Sequence, residues 1–254
     1  MNDSIYGDAQ APQAKVKAPS LIDQIEGVFT APKALFEKLR EAPSWVPALA
    51  LAIVIGIFSS LVWAAHVDMA AQTARKMDVM VETFHANIPQ NAIDDAISKA
   101  DGTHPWISSV LGPLFGTFIM YLLIALITWA FAFAGRKDEK TPPTFHQAMS
   151  AVSVHYLVTL PSMLLGGLIC LFKPVGGRSI QEMMPTILTY FVRPESALLR
   201  GLAFCVDPLW IFSFFVLAVA MKETLNAKTW AVASCLGVFA VFGIAFRFMG
   251  ALFF

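Results

Sequence analysis

Three ionisable side chains stand where a chain this apolar can least tolerate them: His155, Asp207 and Arg247. Each falls inside a run otherwise free of Asp, Glu, Lys and Arg. An Asp or Arg at the centre of a bilayer costs roughly 2.5–3.5 kcal/mol on insertion scales, so each asks for a partner or a role. An Asp and an Arg can neutralise one another, and an imidazole can hydrogen-bond between helices or carry a proton. Asp207 also precedes Pro208. Asp at an N-cap with Pro at the first helical position is a start signal, which predicts a broken helix that begins again here. Two readings follow. Asp207 caps that helix and neutralises Arg247 or a neighbour, or the break, Asp207 and His155 line a polar cavity, the device by which discontinuous helices in transporters bind ions or protons.

The elements that must position these residues are set by composition. Hydrophobic residues make up 57% of the 254 and charged residues 14%, against roughly 45–50% and about 25% in a soluble domain. A span needs roughly 20 apolar residues to cross about 30 Å of hydrocarbon. Residues 45–67, 105–135 and 141–172 contain no Asp, Glu, Lys or Arg. Residues 201–221 are interrupted only by Asp207, and 229–254 only by Arg247. The expected fold class is therefore all-α: a polytopic integral membrane protein with five transmembrane helices, over about 45–67, 107–133, 145–172, 199–221 and 229–253. At about 1.5 Å per residue, His155 and Asp207 both come to roughly 15 Å deep and Arg247 to roughly 10 Å from one face, so Asp207 and Arg247 can meet.

Basic residues counted on alternate sides give orientation. With the N-terminus inside, Lys15, Lys17, Lys33, Lys38, Arg40, Arg136, Lys137, Lys140, Lys222 and Lys228 fall on the cytoplasmic side. Arg75, Lys76, Lys99, Arg178 and Arg193 fall opposite, joined at the boundary by Lys173 and Arg200. The expectation is a multi-pass protein of the cytoplasmic membrane, N-terminus in and C-terminus out. Residues 1–20 lack an apolar stretch, so they are expected to be a disordered tail and not a signal peptide, the first span serving as its own insertion signal. Lys+Arg and Asp+Glu are both 18, which leaves no net field to recruit nucleic acid. No HExxH, GxSxG, GxGD or phosphate-binding Gly-rich loop occurs, so no enzyme and no cofactor is expected. Cys170, Cys205 and Cys235 lie in or beside spans and read as small packing residues.

Around the spans, Leu21, Ile25, Val28, Phe29, Leu35, Phe36 and Leu39 recur at intervals of three and four, with Asp23, Glu26, Lys33, Glu37, Lys38 and Arg40 between them. That predicts an amphipathic interfacial helix before the first span, broken at Ala31-Pro32. It would rest on the membrane surface or pack under the bundle, and Ile25, Phe29, Phe36 and Leu39 are candidates for a partner interface. The loop 68–104 predicts one helix to Phe84, a break at Pro89 and a second short helix over 91–99. His66, His85 and His104 on this side match no compact ligand motif, and no metal is expected. Gly112 and Gly116, four apart, could let two helices approach closely, although Pro113 between them suggests a kink; Pro161 predicts another. Trp45, Trp63, Trp106, Trp129 and Trp230 near span ends form the expected aromatic belt.

Three stretches together resemble a known family. Leu21 to Pro47, with Ile25, Phe29, Thr30 and Pro32 before an apolar span, is similar to the opening of bacterial members of the Yip family, five-span proteins named for interaction with Ypt/Rab GTPases. Phe145-His146-Gln147-Ala148 through Tyr156 to Pro161 resembles its third-span signature. Val206-Asp207-Pro208-Leu209-Trp210, continuing to Lys222 and Lys228, resembles its fourth span and the basic turn after it. The resemblance implies five helices with a cytoplasmic N-terminus. Eukaryotic members are linked to GTPase recruitment and vesicle traffic, but the Asp-Leu-Tyr-Gly-Pro motif of that branch is absent before the first span, so GTPase binding is not implied. The expected role is a partner-binding, membrane-organising or trafficking-type component, whose partners are the lipid bilayer, a second copy or other membrane proteins. The alternative is a small ion-coupled carrier using Asp207, His155 and Arg247.

Overall fold

The computed structural model describes residues 17–192 and 196–253. The tail expected to be disordered therefore lies almost wholly outside the described residues. The chain begins at a pair of short helices, α1 (Leu21–Thr30) and α2 (Pro32–Glu41). Ser20 caps α1 reciprocally: its Oγ accepts the Asp23 N–H at 3.2 Å, and the Asp23 carboxylate accepts the Ser20 N–H at 2.9 Å. This capping box satisfies two donors that a bare helix start leaves orphaned. Pro32 then opens α2, so the expected break falls at Ala31.

Further apolar helices form the bundle. Helix α3 (Val46–His66) is 21 residues long, about 31 Å at 1.5 Å per residue. After the hairpin α4 (Met69–Phe84) and α5 (Gln90–Ala100), the second crossing runs from α6 (Trp106–Leu111) through a π turn at Gly112–Gly116 into α7 (Thr117–Ala134). The kink suggested by Pro113 takes the form of that π turn, because proline removes one rung of the hydrogen-bond ladder and the helix widens around it. The third crossing is α8 (Phe145–His155), a 3₁₀ turn over Tyr156–Val158, and α9 (Leu160–Phe172), bent by 45°. Thr144 and Gln147 make a second capping box at its start. Then come α10 (Ala197–Phe204), α11 (Pro208–Glu223) and α12 (Thr229–Phe253).

Among the described residues the fold is helical, with two isolated bridges, Val67 to Gly176 and Arg136 to Ala227, tying loops at opposite ends of the bundle. Among the described residues three helices are long and apolar enough to cross a membrane, Val46–His66, Trp106–Ala134 and Thr229–Gly250, and the bent α8–α9 pair makes a fourth if it is one span and not a re-entrant loop. The stretch expected as a span over 199–221 is divided at Cys205–Asp207, and the 16 residues of α11 reach only about 24 Å.

The core runs through α2, α3, α7, α8 and α11, with Val28, Phe36, Leu39, Val152, Val216 and Met221 buried within it. Helices approach closely where side chains are small. A Cβ at Gly167 of α9 would fall 2.6 Å from Ser59 Oγ of α3, whose hydroxyl donates to the Met163 carbonyl at 3.0 Å. Gly112 and Gly116, where the sequence suggested such an approach, meet nothing within 4 Å in the chain. They lie on the face of the π turn that turns away from α3, whereas Pro113 meets Gly56.

At the other end, Asp68 caps α4 and the loop after α9 lies against it: the Asp68 N–H donates to the Gly176 carbonyl at 2.9 Å. Arg75 forks onto both oxygens of Glu182. The hairpin α4–α5 thus appears as two helices, with its break at the expected place before Gln90.

Candidate functional site

Asp207 does two things at once. Its backbone is extended (φ −142°, ψ 106°), and its Oδ1 accepts the Leu209 N–H at 3.1 Å, capping α11 with Pro208 at the first turn. Its Oδ2 accepts Arg247 Nη2 at 3.0 Å. Arg247 reaches from α12 to both stubs of the divided helix, because Nη1 also donates to the Phe204 carbonyl at the end of α10, at 3.4 Å. The last carbonyls of a helix lack partners and carry partial negative charge, so a guanidinium there is favourable. Its plane stacks over Trp210, 4.6 Å from the ring centre. The arrangement satisfies a carboxylate that is 3% exposed; removing one member of such a pair costs about 3–5 kcal/mol when both are fully buried, and less here because Arg247 keeps some exposure.

A cavity of about 460 Å³ adjoins this pair. Thr159, Ser162 and Gln181 add polar groups to its lining, and Tyr156, Met184 and Ile187 close it. Ser162 is hydrogen-bonded to Thr186 of the loop after α9.

His155 stands elsewhere. Its ring lines a second cavity of about 370 Å³ among α7, α11 and α12. Nδ1 lies 2.6 Å from the Val152 carbonyl; a carbonyl only accepts, so this nitrogen carries a proton. Ring contact with Tyr156, at 4.2 Å between centres, holds the imidazole in place. Asp207 and His155 therefore do not face one cavity. Arg247, Tyr156, Trp210 and Phe246 line both, so the two cavities adjoin along these residues.

The remaining sequence candidates separate by burial. Phe36 and Leu39 are wholly buried within the bundle. The Thr224 hydroxyl donates to the Phe36 carbonyl at 2.8 Å, and Gln147 Nε2 donates to the Arg40 carbonyl at 2.8 Å. Ile25 and Phe29 are exposed, and with Ile22 they form an apolar stripe at i, i+3 and i+7. Pro161 stands in the first turn of α9, just past the bend, and Pro208 in the first turn of α11.

Sequence reasoning missed Tyr156, Trp210 and Phe246, which both cavities share. Trp210 had a signal, since it lies one helical turn after Asp207 and shares its face; Tyr156 is adjacent to His155 but its stacking on Tyr121, 4.6 Å between ring centres, has no local signature. Outside the spans, hydrogen bonds from Ser20 hold the Asp23 carboxyl below its ordinary range, and those from Thr141 and the Lys140 N–H do the same for Asp138. Burial pushes the Lys76 ammonium down. His66 and His104 point Nδ1 at the Val62 and Ala64 carbonyls, and no group of three His, Cys, Asp or Glu that could hold a metal occurs among the described residues.

A family model for the Yip1 domain matches residues 27–249. No curated protein and no solved structure matches the chain.

Proposed function

The chain belongs to the Yip1 domain family, and from that premise we propose that it is a non-enzymatic, partner-binding component of the cytoplasmic membrane. In this reading α10 and α11 together make the fifth crossing, residues 21–254 form one membrane unit, and the N-terminus is cytoplasmic with the C-terminus outside. The basic residues counted above support that orientation. With Lys+Arg and Asp+Glu both 18, no net charge recruits nucleic acid; no cofactor is required, and GTPase recruitment is not carried over from the eukaryotic branch.

The observation that carries the reading is the contrast between α1 and α2. Phe36 and Leu39 lock α2 into the bundle, while Ile22, Ile25 and Phe29 on α1 stay uncovered. A rigidly anchored helix with an apolar stripe at the membrane surface suits a helix-in-groove contact with a membrane partner. Purification of the tagged protein in native lipid discs, followed by mass spectrometry, tests it. A stoichiometric partner retained by the wild type and lost in Ile25→Glu/Phe29→Glu supports the reading; a chain with no partner, or a partner indifferent to that substitution, sinks it.

One observation favours a second reading, an ion-coupled carrier: the helix is broken at Asp207 beside a cavity with polar lining. It is weakened by the position of His155 on the other cavity. If Asp207→Asn abolished substrate-dependent proton flux in vesicles while the protein stayed folded, carriage would replace partner binding.

A further inference from the structure

We propose that the two cavities form one bipartite site for a single lipid of zero net charge: its head in the chamber beside Asp207 and Arg247, one acyl chain in the groove below. The inference goes beyond the partner-binding reading and does not depend on it.

The groove is built for hydrocarbon. Leu217, Ser213 and His155 are buried at its floor, and Met120, Leu123 and Phe242 stand half exposed at its rims. It follows α12 from Arg247 to Phe239, eight residues, or about 12 Å at 1.5 Å per residue. Its open side faces where lipid chains lie, so an apolar slot here fills with a chain and not with water. At the Arg247 end the lining changes. Past the shared residues Tyr156, Trp210 and Phe246, the chamber is lined by Thr159, whose hydroxyl donates to the Tyr156 carbonyl and keeps its oxygen free to accept, by Ser162, paired with Thr186, and at its edge by exposed Gln181. The polar part thus lies toward the α4–α5 end of the bundle, and the apolar part runs toward the middle. That is the order of head and chain in a lipid of the leaflet on that side.

Charge selects the head. Among the described residues lining the chamber, Asp207 and Arg247 are the charged ones, and they pair at 3.0 Å. Their charges cancel. A head with net charge would bring an uncompensated charge into a half-enclosed, mostly apolar space, which is costly. A zwitterionic head brings donors and acceptors without that penalty; the Gln181 amide can meet both, and the Thr159 oxygen can still accept. Ligand sites of about 300–1,000 Å³ with few polar groups at one end have this form.

The test uses the full chain in nanodiscs of phosphatidylglycerol, with a trace of phosphatidylethanolamine carrying a diazirine on one acyl chain. Illumination and peptide mapping read where the chain sits. Adducts are expected at Leu217, Ser213 and Ile127 about tenfold above those at Ile119 and Leu126, lipid-facing residues on α7 outside the groove. A diazirine phosphatidylglycerol probe at the same level should label the groove several-fold less. Leu123→Trp, which narrows the groove from an exposed rim, should remove the groove adducts and leave those at Ile119. Unlabelled phosphatidylethanolamine should compete them away in the wild type, independently of whether any variant folds. Equal labelling inside and outside the groove overturns the chain site, and equal labelling by the two probes overturns the head assignment.

Discussion

The two ends of the bundle are capped by helical pairs of similar size held in different ways. At one end, α1 and α2 enter the common core: Val28, Phe36 and Leu39 are fully buried against α8 and α11, and side chains of Thr224 and Gln147 bind their carbonyls. At the other, α5 has no buried residue and packs on α4, which is tied down by Val79 and Gln72, the Gly176 bridge and the fork from Arg75 to Glu182. Burial spreads stability over many contacts, whereas a polar tether concentrates it in one. The α1–α2 end should therefore behave as part of the fold, and the α4–α5 end as a unit that opens by itself.

The largest expected effect breaks the first end. Phe36→Ala should destabilise the protein by about 3–5 kcal/mol, the usual range for emptying a buried aromatic site, whereas Ile97→Ala on α5 should cost about 1 kcal/mol or less, since that side chain is only partly covered. Thermal unfolding of the two variants in the same detergent compares them; similar losses would abolish the distinction. A smaller effect sharpens the second end. Arg75→Gln leaves Glu182 half-satisfied at a partly exposed site and should cost about 1–2 kcal/mol, confined to residues 69–100. Hydrogen exchange should rise across α4 and α5 and stay unchanged in α2; a rise throughout would make the tether a global one.

Smaller still is the cap of α1. Ser20→Ala removes an N-cap acceptor and should cost about 1 kcal/mol of helix stability, read as faster exchange in the first turn. The smallest effect concerns pH. Hydrogen bonds from the Ser20 hydroxyl and N–H lower the Asp23 pKa below its ordinary 3.8. A depressed carboxyl contributes stability that is present above 3.8 and lost as pH falls through the lower folded value. Exchange in α1 should thus quicken in strongly acid solution, and Asp23→Asn should remove that dependence; an acid response unchanged in the variant would assign it elsewhere.

Much of the fold is legible because it is local. Charge-free runs mark α3 and α7, a run broken only by Arg247 marks α12, Ser20 and Thr144 cap helix starts, and Pro32, Pro89 and Pro208 mark breaks, each through an interaction within a few residues in sequence. The pairing of Asp207 with Arg247 is legible too, because opposite charges at similar depth in a low-dielectric medium have few other partners. The division of 199–221 into α10 and α11 follows from the same Asp-Pro signal, although the shortness of α11 as a crossing does not.

Other features depend on neighbours that no local pattern names. Periodicity shows that Ile25, Phe29, Phe36 and Leu39 share apolar faces, but only the packing of α2 on α11 buries Phe36 and Leu39 and leaves the other two bare. Spacing makes Gly112 and Gly116 a small-residue face, yet the helix that comes close does so at Gly167. Depth places His155 level with Asp207, and the rotation of α8 about its axis turns the imidazole into a different cavity. Sequence by itself determined where helices begin, break and bury charge, since those are nearest-neighbour energies along the chain. Tertiary structure alone decided which faces meet, because a helix's rotation about its own axis is set by the close packing of side chains contributed by distant segments.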